Sequence, residues 1–293
     1  MAADTKTGKR GGLTSRRRKK TIVNVICFIL LAAASLTVLM PLWFMVSTAL
    51  KSMDEIFTYP ITWYPHEPIW SNFKDAWVSA EFTRWFFNSV FVAAFAIIGG
   101  VLANSLVAYG FAKIRFPGRN IMFSIILATM MIPVEITIPA IYLMFSKVHM
   151  LNTYSVQIFP GIANVFCLFM LKQYMDSLPN SLLEAARLDG AGDISIYQKV
   201  VLPLVSPAIG ALAILTFLGK WNDYLWPSML LTRTEVMPIM VVLPTLNTGN
   251  SQWSTPWELV MAGCVIVTLP LIIVFFIFQD QFMSSVTIGA VKE

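Results

Sequence analysis

The chain has 293 residues, of which 57% are hydrophobic and 13% charged, with a mean hydropathy of +0.69. A soluble domain of this length would carry roughly 25% charged residues, and no globule of this size has interior enough to hide such an apolar excess. The composition argues against a purely soluble enzyme or a DNA-binding domain, and the net charge of +5 has to be read by position.

The first twenty residues hold Lys6, Lys9, Arg10, Arg16, Arg17, Arg18, Lys19 and Lys20 against a single Asp4. Without these eight positive charges and one negative, the rest of the chain carries −2, so the basic balance describes a tail and no nucleic-acid-binding face. From Thr21 to Leu50 there is no Asp, Glu, Lys or Arg, and roughly 20 apolar residues suffice to cross a bilayer. Basic residues before an apolar core and Ala32-Ala33-Ala34 are also how a secretory signal reads, but here the apolar run continues through Trp43 and Phe44. Signal cores are shorter, so residues 21–50 are read as a retained first span, kinked at Pro41.

Five more apolar segments follow, at about Phe86–Ala112, Ile121–Phe145, Ser155–Leu171, Pro203–Leu231 and Leu259–Gln279. The fourth is short and polar residues interrupt the fifth, so the count is six, with five or seven still open. With the N-terminus inside, fifteen Lys and Arg fall on the inner side, in the tail, Lys113/Arg115/Arg119, Lys172/Arg187/Lys199 and Lys292. The outer loops hold Lys51, Lys74, Arg84, Lys147 and Arg233. Positive charge in short loops marks the cytoplasmic side, so both termini are expected there.

Two outer loops stand out. Lys51–Trp85 carries Pro60, Pro65 and Pro68 among Trp63, Tyr64, Trp70, Trp77 and Trp85. This is an interfacial aromatic belt, or a docking surface for an external protein. Thr232–Glu258 is rich in Thr, Asn, Ser and Trp and is long enough to reach a ligand or partner. Cys27, Cys167 and Cys264 lie far apart in apolar surroundings, and His66 and His149 are isolated. None has the spacing of a metal or redox site.

The inner connection from Lys172 to Leu202 greatly exceeds what two neighbouring helices need. Ser181 and Glu184 form a capping-box pattern ahead of Leu182, Leu183, Ala185, Ala186 and Leu188. Gly190 and Gly192 stop that helix, Asp193 caps a second one running toward Val201, and Pro203 marks the start of the next span. Small Ala185 and Ala186 let a partner surface approach closely, Glu184 offers a carboxylate, and Gly190 turns the chain where a side chain would obstruct it.

This segment resembles the EAA loop of ABC importer membrane subunits, whose pattern is E-A-A, three residues, G, nine residues, then I-x-L-P. Glu184-Ala185-Ala186, Gly190 and Val200-Val201-Leu202-Pro203 fit it, with Val for Ile at position 200. Phe217–Leu231, Met131–Thr153 with Pro133, Pro139 and Leu151-Asn152-Thr153, and the ending Thr287–Lys292 are similar to carbohydrate importers of the maltose and multiple-sugar type. Ser284-Ser285 stands where that family often has Lys-Gly.

The resemblance implies an all-α integral membrane protein of about six helices with the type I importer permease (MetI-like) fold. Its parts would be a basic tail (1–20), a first span and outer loop (21–84), a permease core (85–280) with the coupling loop at 172–203, and a C-terminal tail (281–293). It implies that Glu184, Ala185, Ala186, Asp189, Gly190, Leu202 and Pro203 couple the chain to an ATPase dimer. A second permease subunit, an extracytoplasmic solute-binding protein and the lipid bilayer complete the expected partners, in the cytoplasmic membrane of a prokaryote. No phosphate-binding G-x-x-x-x-G-K-[ST] occurs in the chain. ATP and Mg would be used by the partner, with no cofactor in this chain and no bond chemistry of its own.

Charges within spans are costly and point to function. Glu135 is the only charge between Asn120 and Phe145, while Lys220, Trp221, Asn222 and Asp223 interrupt the fifth span. Glu135, Trp221, Asn222 and Asp223 are candidates for a sugar path, the last three combining an aromatic plane with hydrogen-bonding groups. Structural roles are equally open for them: a helix cap or buried pair for Glu135, and interfacial anchoring and packing for the rest. The expected function is permease for a sugar or oligosaccharide. A permease for an amino acid, peptide or polyol, and a proton-coupled carrier using Glu135 or Asp223, are the alternatives.

Overall fold

The computed structural model describes residues 11–78, 81–246 and 255–290, with side chains placed for 20–78, 81–244 and 255–279. The side chains of the basic segment before Lys20 and of the Thr287–Lys292 ending therefore lie outside the described residues. All regular structure in the described residues is helical. α1 (Gly11–Ala49) begins inside the basic segment and continues through Pro41 as one helix. Two short helices follow, α2 (Met53–Ile56) and α3 (Ser71–Val78), before α4 (Phe82–Lys113), whose 32 residues span about 48 Å at 1.5 Å per residue.

The third apolar segment is broken. α5 (Arg119–Ala128) and a 3₁₀ turn (Thr129–Met131) meet α6 (Val134–Lys147) at 100°, across Ile132 and Pro133. A proline lacks the amide hydrogen that would continue the ladder, and the residue before it is pushed to extended backbone. The fourth segment divides into α7 (Tyr154–Ile162) and α8 (Val165–Asp176) around Ala163 and Asn164. Irregular backbone at membrane depth survives only where its polar groups are satisfied by protein or water. Here Asn104 Nδ2 of α4 donates to the Ile162 carbonyl at 2.7 Å, and Asn164 Oδ1 accepts from the Cys167 amide at 3.0 Å.

Beyond α9 (Asn180–Leu188), α10 (Asp193–Ile196), a π-helical turn (Tyr197–Val201) and α11 (Leu202–Leu204), the chain turns by 76° at Val205 into α12 (Ser206–Trp221). Helix α12 thus starts at Ser206 with Pro207 in its first turn, while Pro203 lies in the short helix before the bend. It ends at Trp221; α13 (Leu225–Leu230) is separate. A 3₁₀ turn (Thr234–Val236), α14 (Ile239–Val242), a second 3₁₀ turn (Leu243–Leu246) and the long α15 (Trp257–Ala290) complete the chain. By length and apolarity four helices can cross a membrane, or six if each bent pair is one span.

α4 is the axis, packed against α7, α8 and α12, while α1 lies chiefly along α15. Phe28, Leu36, Ile121, Ile136 and Phe276 face outward, as a lipid-bathed bundle requires. At the Trp85 end of α4, Asn88 Nδ2 donates to the carbonyls of Glu235 and Met237, and Ser89 Oγ accepts from the Ile239 amide at 2.8 Å. Ile239, Val241, Val242 and Leu243 are buried there. The described half of the Thr232–Glu258 segment is therefore a cap folded onto α4 and no free-reaching loop; residues 247–254 lie outside the described residues.

The aromatic loop divides likewise. Trp77 and Trp85 turn inward against Phe82 and Phe86 or onto the Thr234 carbonyl, while Tyr59, Tyr64 and Trp70 are exposed.

Candidate functional site

The segment after α8 forms a lever with one buried face. Leu183 of α9, Ile196 of α10, and Tyr197 and Val201 of the π turn enter an apolar core with Ala108, Tyr109 and Phe111 of α4 and Leu168, Leu171 and Met175 of α8. Tyr197 Oη lies 2.7 Å from Ser105 Oγ, both buried, and Lys113 Nζ donates to the Leu178 carbonyl at 2.8 Å and Asn180 Oδ1 at 3.1 Å. α4 therefore grips the segment at two heights.

The other face is free. Glu184, Ala185, Asp189, Gly190 and Pro203 are exposed, Ala186 and Leu202 partly so, and Leu188 and Ile194 are 89% and 71% exposed. Two local expectations are corrected. Helix α9 starts at Asn180 after Pro179, so Ser181 is not its cap and the Ser181–Glu184 capping box is absent. Pro179 pre-sets the backbone and the first free amides need no side-chain partner at an exposed end. Likewise Gly192, and not Asp193, precedes α10, and Asp193 instead pairs with Arg187 at 3.1 Å across the glycines.

Gly190 stands at the turn for a conformational reason. Its φ is +83°, and a Cβ there would meet nothing within 4 Å, so no obstruction within the chain demands glycine. The Ala191 amide donates to the Ala186 carbonyl and the Gly190 amide to the Arg187 carbonyl, both at 3.0 Å. This is a Schellman ending, which puts the residue after the cap in the left-handed region.

A second candidate site lies between the broken helices. A cavity of about 670 Å³ is lined by Glu135 of α6, Gly161 of α7, Asn164, Thr216 and Lys220 of α12, Asp223 and Trp226. Glu135 is exposed at the first turn of α6. Lys220 Nζ donates to the Gln157 carbonyl at 3.0 Å and lies 3.6 Å from Asp223 Oδ2. Asp223 Oδ1 in turn accepts from the Trp226 amide at the start of α13. Gly161 makes room for the lysine: a Cβ there would sit 2.8 Å from Lys220 Cε.

Of the four residues proposed for a sugar path, the structure brings Glu135 and Asp223 to one cavity and leaves two out. Trp221 is 1% exposed, donates to the Val267 carbonyl at 3.1 Å and packs on Phe86 and Phe217. Asn222 returns its amide to the Leu218 carbonyl of its own helix. Trp221 thus faces α15, and the exposed Asn222 follows the last residue of α12; neither lines the cavity. Asn164, Gly161, Thr216 and Trp226 were not singled out from the sequence. Pro160-Gly161 followed by Asn164 was the available signal, since it marks a helix break.

Comparison with known proteins agrees with this architecture. Residues 96–288 match the family described as binding-protein-dependent transport system inner membrane component. An arabinooligosaccharides transport system permease of Halalkalibacterium halodurans is 36% identical over 210 residues, 71% of this chain and 74% of that one. An sn-glycerol-3-phosphate transport system permease of Yersinia enterocolitica is 34% identical over 270 residues, 90% and 95% of the two chains. Among solved structures, a chain of a bacterial ABC transporter involved in import of the acidic polysaccharide alginate superposes with a TM-score of 0.79 at 25% identity, covering 90% of this chain and 97% of that one. A second alginate-transporter chain, at 13% identity and a TM-score of 0.60, shares the fold. With the broken-helix bundle, its lever and a family match over most of its length, this chain belongs to the binding-protein-dependent transport system inner membrane components, the permeases of ABC importers.

Proposed function

We propose that the chain is one permease subunit of an ATP-driven importer for a sugar or oligosaccharide, working with a second permease, an ATPase dimer and an extracytoplasmic solute-binding protein. Both termini and the α9–α11 lever face the cytoplasm, following the excess of Lys and Arg at that end. ATP and Mg are bound and used by the ATPase partner, while this chain holds no cofactor and breaks no bond. The permeases of arabinooligosaccharide and glycerol-phosphate systems among its relatives, and the alginate importer among its structural neighbours, support a hydroxylated solute.

The lever carries the coupling assignment. Its inner face is locked to α4 while Glu184, Ala185, Asp189 and Gly190 stand exposed beside Leu188 and Ile194. Apolar side chains exposed at a polar bundle end mark an interface. ATPase closure pushes this face, and Leu183, Tyr197 and Lys113 pass the displacement to α4, with Leu202, Pro203 and the bend at Val205 passing it to α12. Glu135 and Asp223 line the solute path in the cavity between the broken helices. A proton-coupled carrier would use those carboxylates but gives the lever no role.

The test is Glu184→Lys in the assembled importer. Glu184 is exposed and makes no hydrogen bond or ion pair in the described chain, so stability should stay within about 0.5 kcal/mol. Solute-stimulated ATP hydrolysis and uptake should fall together. Unchanged stimulation and uptake would remove the coupling assignment.

A further inference from the structure

The charges around the cavity are already spoken for, and this bears on which solutes it accepts. Its lining holds two carboxylates, Glu135 and Asp223, and one ammonium, Lys220. Lys220 is drawn to one wall, between the Gln157 carbonyl and Asp223, with its side chain only 15% exposed. Glu135 has no ion-pair partner among the described residues.

The helix ends are no freer. Three helices begin at the cavity wall, and an open helix N-terminus attracts anions. Two of these ends already meet an acceptor of the chain, the Asn164 side chain at α8 and Asp223 at α13; at α6 no side chain caps the amides, but the Glu135 carboxylate stands in the first turn and opposes a second negative charge there. What remains for a ligand is polar but not cationic. Glu135 accepts hydrogen bonds, Asn164 keeps its Nδ2 hydrogens, and Trp226 and Phe166 give apolar surface. Such a mixture suits a ring with hydroxyls on its rim and C–H groups on its faces.

We propose that this cavity selects electrically neutral polyhydroxylated solutes and rejects carboxylated or phosphorylated ones. The inference rests on the reading of the cavity as the solute path and adds a charge class to it. It places the chain's substrate with neutral oligosaccharides, apart from the anions named for its glycerol-phosphate and alginate relatives. A solute carboxylate roughly 6 Å from Glu135 would be disfavoured about a hundredfold at an effective dielectric near 20. Solvation of the exposed Glu135 raises the effective dielectric, and at about 40 the discriminating effect is about tenfold.

The experiment measures equilibrium binding of arabinotriose and of an alginate trisaccharide to the assembled importer in nanodiscs, without its solute-binding protein. Arabinotriose should bind at least about tenfold more tightly. Glu135→Gln should narrow that gap by about tenfold, and Glu135→Asp, which keeps the charge, should preserve it. Equal or tighter binding of the acidic trisaccharide, or a gap indifferent to Glu135→Gln, would overturn the proposal while leaving the path in place. Binding of neither sugar would remove the cavity as a solute site, and the path reading with it.

Discussion

Gly190 offers a perturbation whose size follows from the geometry. At φ +83° an L-residue with a Cβ pays the left-handed penalty of about 1–2 kcal/mol. The space around the position is empty, so Gly190→Ala carries no clash to add to that strain. The whole penalty therefore falls on the end of α9, where the Gly190 and Ala191 amides hold the Arg187 and Ala186 carbonyls. A loss of this size raises the open population about 5- to 30-fold. Hydrogen exchange of the 187–191 peptide should accelerate by that factor, while peptides of α4 and α8 keep their protection. Gly190→Asn should accelerate exchange less, since asparagine tolerates the left-handed region. Unchanged exchange in the alanine variant, or an equal effect of asparagine, would refute the claim that conformation, and not space, reserves this position for glycine.

Two other perturbations test how the lever and the cavity are held. The buried Ser105–Tyr197 hydrogen bond is asymmetric, because Ser105 also donates to its own helix at the Val101 carbonyl. Tyr197→Phe should cost about 1 kcal/mol in thermal unfolding of the importer, whereas Ser105→Ala strands the tyrosine hydroxyl and should cost more, up to about 3 kcal/mol. The reverse order would assign the donor wrongly. Gly161→Ala should displace Lys220 from the Gln157 carbonyl, because the intruding Cβ meets the flexible end of the lysine. The cost should sit at the low end of the about 1–3 kcal/mol overpacking range, and amine-reactive labelling of Lys220 should rise. Unaltered labelling would count against the packing described.

What could be read in advance followed the range of the forces involved. Apolar length is a property of whole segments, so the candidate spans emerged from composition alone. The same signal could not place the breaks. Ile121–Phe145 reads as one apolar run, yet Pro133 divides it into helices crossing at 100°. That angle depends on which neighbours satisfy the freed backbone groups, as Asn104 does by donating to the Ile162 carbonyl in the next span. Helix starts in the lever were misplaced for a related reason. Ser181 and Asp193 have good capping chemistry, but Pro179 and Gly192 fix the backbone earlier.

The residues expected along a path show where a residue's chemistry stops being informative about its place. Trp221, Asn222 and Asp223 are consecutive and all polar-capable, and nothing in their types separates them. The end of α12 does: one ring points to Val267, one amide folds back to Leu218, and one carboxylate reaches Lys220. The partner that completes that last interaction lies on another helix, at the Gln157 carbonyl, and is reachable only because Gly161 has no side chain. A main-chain oxygen leaves no mark in a sequence, and a missing Cβ reads as a helix breaker. The lysine that interrupts the fifth span is thus bound to the cavity wall by two features invisible as chemistry. Its charge is satisfied within the chain, while Glu135 lines the same cavity with no ion-pair partner among the described residues.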